Sequence, residues 1–405
     1  MAACHPFALA NVFAAPSLCA ASVAQGRRND IRGPFLHSEQ HNLVISLDGM
    51  GGDHAPHIVV EGAHIARGRF PSARFIIFGD EAQIRPLIAQ YPGLGDVMDV
   101  RHTPDRITAE DKPAQVLRTG RNSSMRLAID AVAKGEAHGV VSAGNTGALM
   151  AMAKFSLKVM HGVHRPAIAT YLPTRVAGHG TVLLDLGANA ECDPHNLLEF
   201  AVLGGVFSRE AFGIEQPKIG ILNIGSEAMK GSELVKDSAE LFSRAKLPGV
   251  YAGFAEGDDI GAGTFDVIVT DGFTGNVTLK TIEGTARLIK HMVKEALKSS
   301  WVVKLGLLLA APGLLLCYRP MKNFSKRIDP RYYNGASLLG LKGLCIKSHG
   351  GTDGIGFANA IGVAAGLAAN KFTDKVEAEL QRLGADAMRP VNADEAPARL
   401  AGEEG

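Results

Sequence analysis

The chain has 405 residues, 46% of them apolar, with a formal net charge of +1. That length can bury a sizeable core, either in one large α/β domain or in two or three smaller ones. The near-balanced charge excludes a nucleic-acid partner held by bulk positive charge.

Residues 1–40 are rich in Ala and Ser and hold no acid before Asp30. No Lys or Arg precedes their apolar stretch, and Pro6 and Pro16 interrupt it, unlike a signal peptide. They read as a disordered extension or a start assigned too far upstream. A single α/β catalytic domain is expected over 41–385, and a flexible tail over 386–405. Short apolar runs then predict strands at "LVISLD" (Leu43 to Asp48), "RFIIFGD" (Arg74 to Asp80), "GVVSAG" (Gly139 to Gly144), "TVLLDLG" (Thr181 to Gly187), "KIGILNIG" (Lys218 to Gly225) and "FDVIVTDG" (Phe265 to Gly272). A 3.6-residue period predicts helices such as Ser123 to Lys134 and Asn196 to Ser208. The alternation predicts a parallel sheet covered by helices on both faces. Five scattered cysteines without a C-x-x-C pair support neither disulfides nor a zinc site, and point to a reducing cytoplasm.

Six strands lead into polar glycine turns: "DGMGGD", "SAGNTGALM", "DLGANAECD", "NIGSEAMKG", "TDGFTGN" and "IKSHGGTDG". In open α/β sheets ligands bind at the carboxyl ends of strands, so six such turns predict one shared site. Glycine turns that lead into helix N-termini expose N–H groups suited to phosphate. Gly144, Asn145, Thr146 and Gly147 fit that pattern, with Asn145 and Thr146 placed to cap the helix behind them. Gly51 and Gly52 let backbone approach a ligand closely. Asp48 and Asp53 repel an anion, so they are expected to orient lysines and loop amides; for Asp53, capping of the next helix is the alternative. Lys280, Lys347 and His349 supply cations, and Asn189, Asn223 and Asn276 supply donors for an oxyanion. Cys192, between Glu191 and Asp193, is a poor nucleophile because neighbouring charge disfavours its thiolate. Asp185, Glu191 and Asp193 are expected to pair with lysines rather than bind a metal. G-x-G-x-x-G, the P-loop, H-E-x-x-H and G-x-S-x-G are all absent.

The motifs "DGMGGDHAP", "DKPAQVLR…NSSM", "SAGNTGALMA", "LLDLGANAECDP", "NIGSEAMKGSEL", "TDGFTGNVTLKTIEG" and "YNGASLLGLKGLCIKSHGGTD", in this order over about residues 43 to 370, resemble those of the bacterial acyl-carrier-protein:phosphate acyltransferases of phospholipid synthesis. Gly49 departs from the family's usual Ala, and "HGGTD" replaces a serine pair, which weakens any role for a serine hydroxyl there. The resemblance implies a three-layer α/β/α sandwich similar to isocitrate and isopropylmalate dehydrogenases, and a homodimer. It implies transfer of a fatty acyl group from the carrier-protein thioester to inorganic phosphate, with no cofactor. The acyl phosphate product would serve a membrane glycerol-3-phosphate acyltransferase. Asn189, Lys280, Asn276 and His349 are then candidates for catalysis. Asp48, Gly51, Gly52, Asp53, Gly144, Asn145, Thr146, Gly147, Asn223 and Lys347 are candidates for substrate binding. Three alternatives stay open: a phosphotransacetylase-like enzyme acting on acyl-CoA, a non-catalytic membrane scaffold, and a nicotinamide dehydrogenase.

Between Arg287 and Arg331 ten Lys or Arg face only Glu295 and Asp329, a net of +8. Within this segment, Leu305 to Tyr318 is 14 residues without charge, too short to span a bilayer. Two amphipathic helices joined by that apolar stretch as a turn, broken at Pro312-Gly313, are expected over 283–335 as a protruding hairpin. Lys304, Leu308, Leu314, Arg319 and Lys322 would meet an anionic membrane surface and the acidic carrier protein at the inner face of the cell membrane. A dimer interface is the competing use of the leucines.

Overall fold

The buried run Val44–Asp48 forms β1, the first of eleven strands in one sheet of the computed structural model. Residues 43–176, 178–316, 318, 322 and 329–387 are described; the extension expected over 1–40, and 388–405 of the expected tail, lie outside them. In chain order follow α1 (His57–Arg69), β2 (Arg74–Gly79), α2 (Glu81–Ile88), β3 (Met98–His102), α3 (Pro113–Thr119), α4 (Ser124–Ala133), β4 (Gly139–Ser142) and α5 (Thr146–Leu157). Next come β5 (Ala167–Pro173), β6 (Gly180–Leu184), α6 (Pro194–Phe212), β7 (Lys218–Leu222), α7 (Glu233–Arg244), β8 (Val250–Ala255), α8 (Asp259–Ala262), β9 (Val267–Val269), α9 (Gly272–Lys298) and α10 (Trp301–Leu316). A 3₁₀ turn (Pro330–Tyr333), β10 (Ala336–Leu339), β11 (Leu344–Lys347), α11 (Gly354–Ala369) and α12 (Phe372–Ala387) complete the order.

All six expected strands are present, and the two expected helices are α4 and α6. Successive strand residues serve opposite cores. Phe75 and Ile77 pack with the layer that contains α1, α6 and α11, whereas Ile76 and Phe78 pack with α4 and α5. Val182 and Leu184 divide from Leu183 in the same way. Burial on both faces explains why these strands are apolar along their whole length. The result is a three-layer α/β/α sandwich.

The sheet is not wholly parallel, which corrects the expectation. Its order is β3-β2-β1-β4-β11-β10-β5-β6-β9-β7-β8. β3, β2, β1, β4 and β11 are mutually parallel, as are β6, β9, β7 and β8. Between the two sets, β11/β10, β10/β5 and β5/β6 all pair antiparallel. Three reversals make the two parallel sets run in opposite directions. The pairings Ser337↔Ile346, Ser337↔Ala169 and Ala169↔Leu184 put the ends of β11 and β6 on one row of the sheet. The turns that follow β1, β4 and β11 therefore leave the sheet one way, and those that follow β6, β7 and β9 leave it the other.

The apolar stretch from Leu305 is not a turn. It is helical, as part of α10, through Pro312-Gly313 to Leu316. Leu and Ala are strong helix formers, and their run outweighs the break that Pro and Gly signal. The junction lies instead at Ser299-Ser300, where Ser299 Oγ donates to Ala296 O at 2.8 Å and Ser300 Oγ accepts from Val303 N at 3.3 Å. Every residue from 285 to 300 is exposed, including Leu288, Ile289, Met292, Val293 and Leu297. Trp301, Val302, Leu305 and Leu309 extend this apolar surface along α10.

Candidate functional site

Three turns, after β1, β4 and β11, close around Lys347. Asp48 ends β1 with its carboxylate buried. It accepts from Ser124 Oγ and Ser142 Oγ, each at 2.6 Å, and weakly from Met50 N at 3.4 Å. Burial raises its pKa, and these hydrogen bonds oppose that rise. Ser142 Oγ in turn accepts from Gly144 N at 3.1 Å, so one carboxylate sets the path of two turns. Gly51 is needed for that packing: a Cβ there would meet the Asp48 carboxylate and lie 2.9 Å from Gly144 N. Gly52 has φ +106° and sits against Ala143 and Gly350 O. These glycines thus let turn pack on turn.

Lys347 pairs with Ser142 across the β11/β4 ladder. Its Nζ donates to Ala143 O at 3.4 Å and to Ser348 O. Burial pulls its pKa down to about 8, helped by the positive charge of Lys280; the nearby carboxylates of Asp48 and Asp53 oppose the fall. Asp53 does not cap α1, whose N-cap is Pro56 without a side-chain bond. Its backbone N–H donates to Gly350 O at 3.0 Å, which pins the first turn to the last. His349 is exposed; its Nδ1 accepts from Gly351 N at 3.2 Å, which leaves Nε2 as the protonated nitrogen. Asn334 supports this turn by accepting from His349 N at 2.9 Å and donating to Ser348 Oγ and Gly356 O, both at 2.8 Å. Asn145 caps α5 as expected, accepting from Ala148 N at 3.1 Å, while its Nδ2 donates to Ala109 O at 3.0 Å. Gly147 makes room for Pro113, and Thr146 is exposed at the first turn of α5.

The other three turns form a second cluster. Asp185, directly after β6, is fully buried and accepts from Ile168 N, Ala188 N and Asn189 N at 2.9, 3.1 and 2.7 Å. Burial again raises its pKa. Asn189 Nδ2 donates to the same carboxylate and to Pro166 O, both at 2.9 Å, so both its amide hydrogens are used within the protein. Asn223 is engaged in part: one Nδ2 hydrogen goes to Lys230 O at 3.2 Å and Oδ1 accepts from Ile224 N at 2.8 Å. Asn276 is exposed beside Gly187, whose φ is +120°. Asp185 and Asp193 do not pair with lysines as expected, because backbone amides take them; Asp193 caps α6 by accepting from Asn196 N at 2.8 Å. The Cys192 thiol is pushed up to about 11, first by burial and then by the charges of Asp185 and Asp271, which leaves it inert. Among the described residues no group of three His, Cys, Asp or Glu could hold a metal ion.

The six turns thus gather in two groups of three, on either side of the antiparallel strands β10 and β5. α9 links them. Asp271 caps it in the second cluster, accepting from Thr274 N at 2.9 Å, and Lys280 approaches Lys347 in the first. Lys280 is exposed and pairs with Glu283 at 3.2 Å. A cleft of about 370 Å³ in the second cluster is lined by Leu197, Ile221, Asn223, Val235, Thr274 and Thr278, among others. Lys280 lies roughly 200° around α9 from Thr278, so this cleft and the lysine pair are on opposite faces of the helix. Sequence reasoning did not single out Ser124, Ser142 or Asn334, although "NSSM", "SAG" and "YNG" contain them. Of the expected contact residues on the basic segment, Lys322 is exposed with Nζ 5.6 Å from the Tyr318 ring centroid. The side chains of Lys304, Leu308 and Leu314, and all of Arg319, lie outside the described residues.

A family model described as "Fatty acid synthesis protein" matches residues 43–375. The chain is 56% identical over 343 residues to a phosphate acyltransferase of Rhodospirillum centenum, covering 85% of this chain and 94% of that one. It is 51% identical over 343 residues to a phosphate acyltransferase of Rhodospirillum rubrum, covering 85% and 96%. Among solved structures it is similar to the EutD phosphotransacetylase from Staphylococcus aureus, with a TM-score of 0.52, 18% identity, and 81% and 94% coverage. A phosphotransacetylase from Streptococcus pyogenes gives a TM-score of 0.53 at 16% identity, with 81% and 94% coverage. At these identities the two structures bear on fold alone.

Proposed function

Given that the chain belongs to the fatty acid synthesis protein family and is a phosphate acyltransferase, we propose that it moves a fatty acyl group from an acyl-carrier-protein thioester to inorganic phosphate. The acyl phosphate formed then serves a membrane glycerol-3-phosphate acyltransferase. The observation that carries this reading is the half-buried Lys347, held by backbone carbonyls among three glycine turns with Lys280 alongside. Two ammonium groups, one of them bonded to Ala143 O just ahead of α5, suit a dianion.

Hydrogen phosphate needs no strong base and no covalent enzyme intermediate. The protein's tasks are placement and charge stabilisation. Lys280 and the Gly144–Gly147 turn hold phosphate, with the Thr146 hydroxyl exposed at the helix start. Asp48 and Asp53 fix the turns and do not touch the anion. The Asn276 amide is the donor on offer to the thioester oxyanion. Asn189 acts as a positioning residue, because both its amide hydrogens are engaged, whereas Asn223 spends one amide hydrogen on Lys230 O at the edge of the cleft it lines. His349 presents Nε2–H at the mouth.

The reading extends to a homodimer and to reversible contact with an anionic membrane. Net +8 between Arg287 and Arg331 and the exposed leucines of α9 and α10 support it. The same charge suits the acidic carrier protein. No helix among the described residues is long and apolar enough to cross a membrane. Leu308→Glu/Leu314→Glu is expected to lose co-sedimentation with anionic vesicles; retained sedimentation would remove the anchor, and loss of the dimer instead would make those leucines an interface.

The reaction is tested with a long-chain acyl carrier protein, with and without phosphate, trapping acyl phosphate with hydroxylamine. Phosphate-dependent hydroxamate is expected. Thioester loss at one rate with or without phosphate would reject the reaction, and equal turnover of acyl-CoA would reject the carrier protein as the specific donor.

A further inference from the structure

Acyl transfer from a thioester to hydrogen phosphate leaves one proton to be placed. Sulfur departs as a thiolate, and the phosphate arrives with a proton that the acyl phosphate does not keep. We propose that Lys347 is the catalytic acid that gives the leaving sulfur its proton and then recovers one from the incoming phosphate. This rests on the phosphate acyltransfer reading above.

The geometry favours Lys347 over the other cations. It ends β11 at the point where the three turns of the first cluster meet. An ammonium has three donors. Two are directed to Ala143 O and Ser348 O, and the third has no partner among the described residues. The groups that face it are Asp48 from β1, Asp53 from the first turn, Cys345 from its own strand and Lys280 from α9. Asp48 is occupied by two serine hydroxyls, so Lys347 has no ion pair to break before it acts. Lys280, by contrast, is exposed and paired with Glu283. A pKa of about 8 also places Lys347 close to an ordinary thiol, at about 8.5, where proton transfer to sulfur has little thermodynamic cost.

The step balances without any other reactant. A phosphate oxygen forms the C–O bond and the C–S bond breaks. The Lys347 ammonium protonates sulfur, and the neutral amine takes the phosphate proton, which restores the ammonium. Nothing is oxidised or reduced.

The test compares one acyl chain on two leaving groups, the alkyl thiol of the acyl carrier protein and an aryl thiol whose thiolate leaves without a proton. With the alkyl thioester, Lys347→Met is expected to lower kcat roughly 10²–10⁴-fold, the usual worth of a general acid. With the aryl thioester the loss is expected to shrink to less than about tenfold, because the acid is no longer needed. Lys347→Arg keeps the charge but does not release a proton, so it is expected to resemble Lys347→Met on the alkyl donor. Equal losses on both thioesters, or a normal alkyl rate in Lys347→Arg, would overturn the proposal and leave Lys347 a charge that holds phosphate. If wild type makes no acyl phosphate from the carrier-protein thioester, the reaction itself falls, and the role of Lys347 with it.

Discussion

The two turn clusters use the same device to different ends. Each is built on a buried aspartate at or just after the end of a parallel strand, Asp48 after β1 and Asp185 after β6. Asp185 collects mainly amides of its own turn, together with Ile168 N from β5. It fixes a local loop. Asp48 instead takes hydroxyls from Ser124 and Ser142, 76 and 94 residues away. It ties α4 and β4 to the first turn, and the β11 turn closes over the assembly through Asp53 N and Gly350 O. Lys347 sits among the turns that Asp48 gathers, with Nζ on Ala143 O and Ser348 O. A buried carboxylate satisfied by its own loop serves as scaffold, whereas one satisfied from elsewhere in the chain can assemble a site.

That contrast can be broken by substitution. Asp185→Ala strands three amides that cannot turn elsewhere, at about 1–3 kcal/mol each, so it is expected to cost at least about 3 kcal/mol in a urea melt. Asp48→Ala strands two hydroxyls that can rotate to other acceptors and the weakly bound Met50 N, and its expected loss is smaller, about 1–3 kcal/mol. Its activity should fall further than its stability, because the turns around Lys347 lose their common anchor. Equal stability losses would erase the distinction between the clusters. A smaller effect sharpens it: Lys280→Ala is expected to lower kcat/KM for phosphate by more than about tenfold, or about 1.4 kcal/mol, with the melt unchanged. A normal phosphate KM would mean that α9 does not bring its charge to the first cluster.

Much of this was legible in the sequence. The six strands are buried on both faces and stand out as apolar runs, and Asn145 has the residue type and spacing of a cap. The glycine turns are visible as punctuation. Strand direction is not, because the side chains of β10 and β5 do not encode which way those strands pair. The division of six turns into two clusters follows from those pairings alone, so it was hidden too. The engagement of Asn189 was also out of reach, since its partner Pro166 O is set by the placement of β5 beside β6. At Pro312-Gly313 the local break signal was read correctly as chemistry but was overridden by the surrounding Leu and Ala.

The most direct test of a phosphate seat at Lys347 is the pH dependence of phosphate binding, measured by calorimetry from about pH 7.5 to about pH 9.5. Bound dianion favours the ammonium and raises its pKa above the free value of about 8. Affinity should therefore be full below about pH 8 and fall as pH rises through it, by up to about tenfold per unit, with proton uptake on binding. Lys347→Met should bind more weakly at the low end and lose this slope. Affinity that stays level across the range, or an unchanged slope in Lys347→Met, would contradict a site at the first cluster.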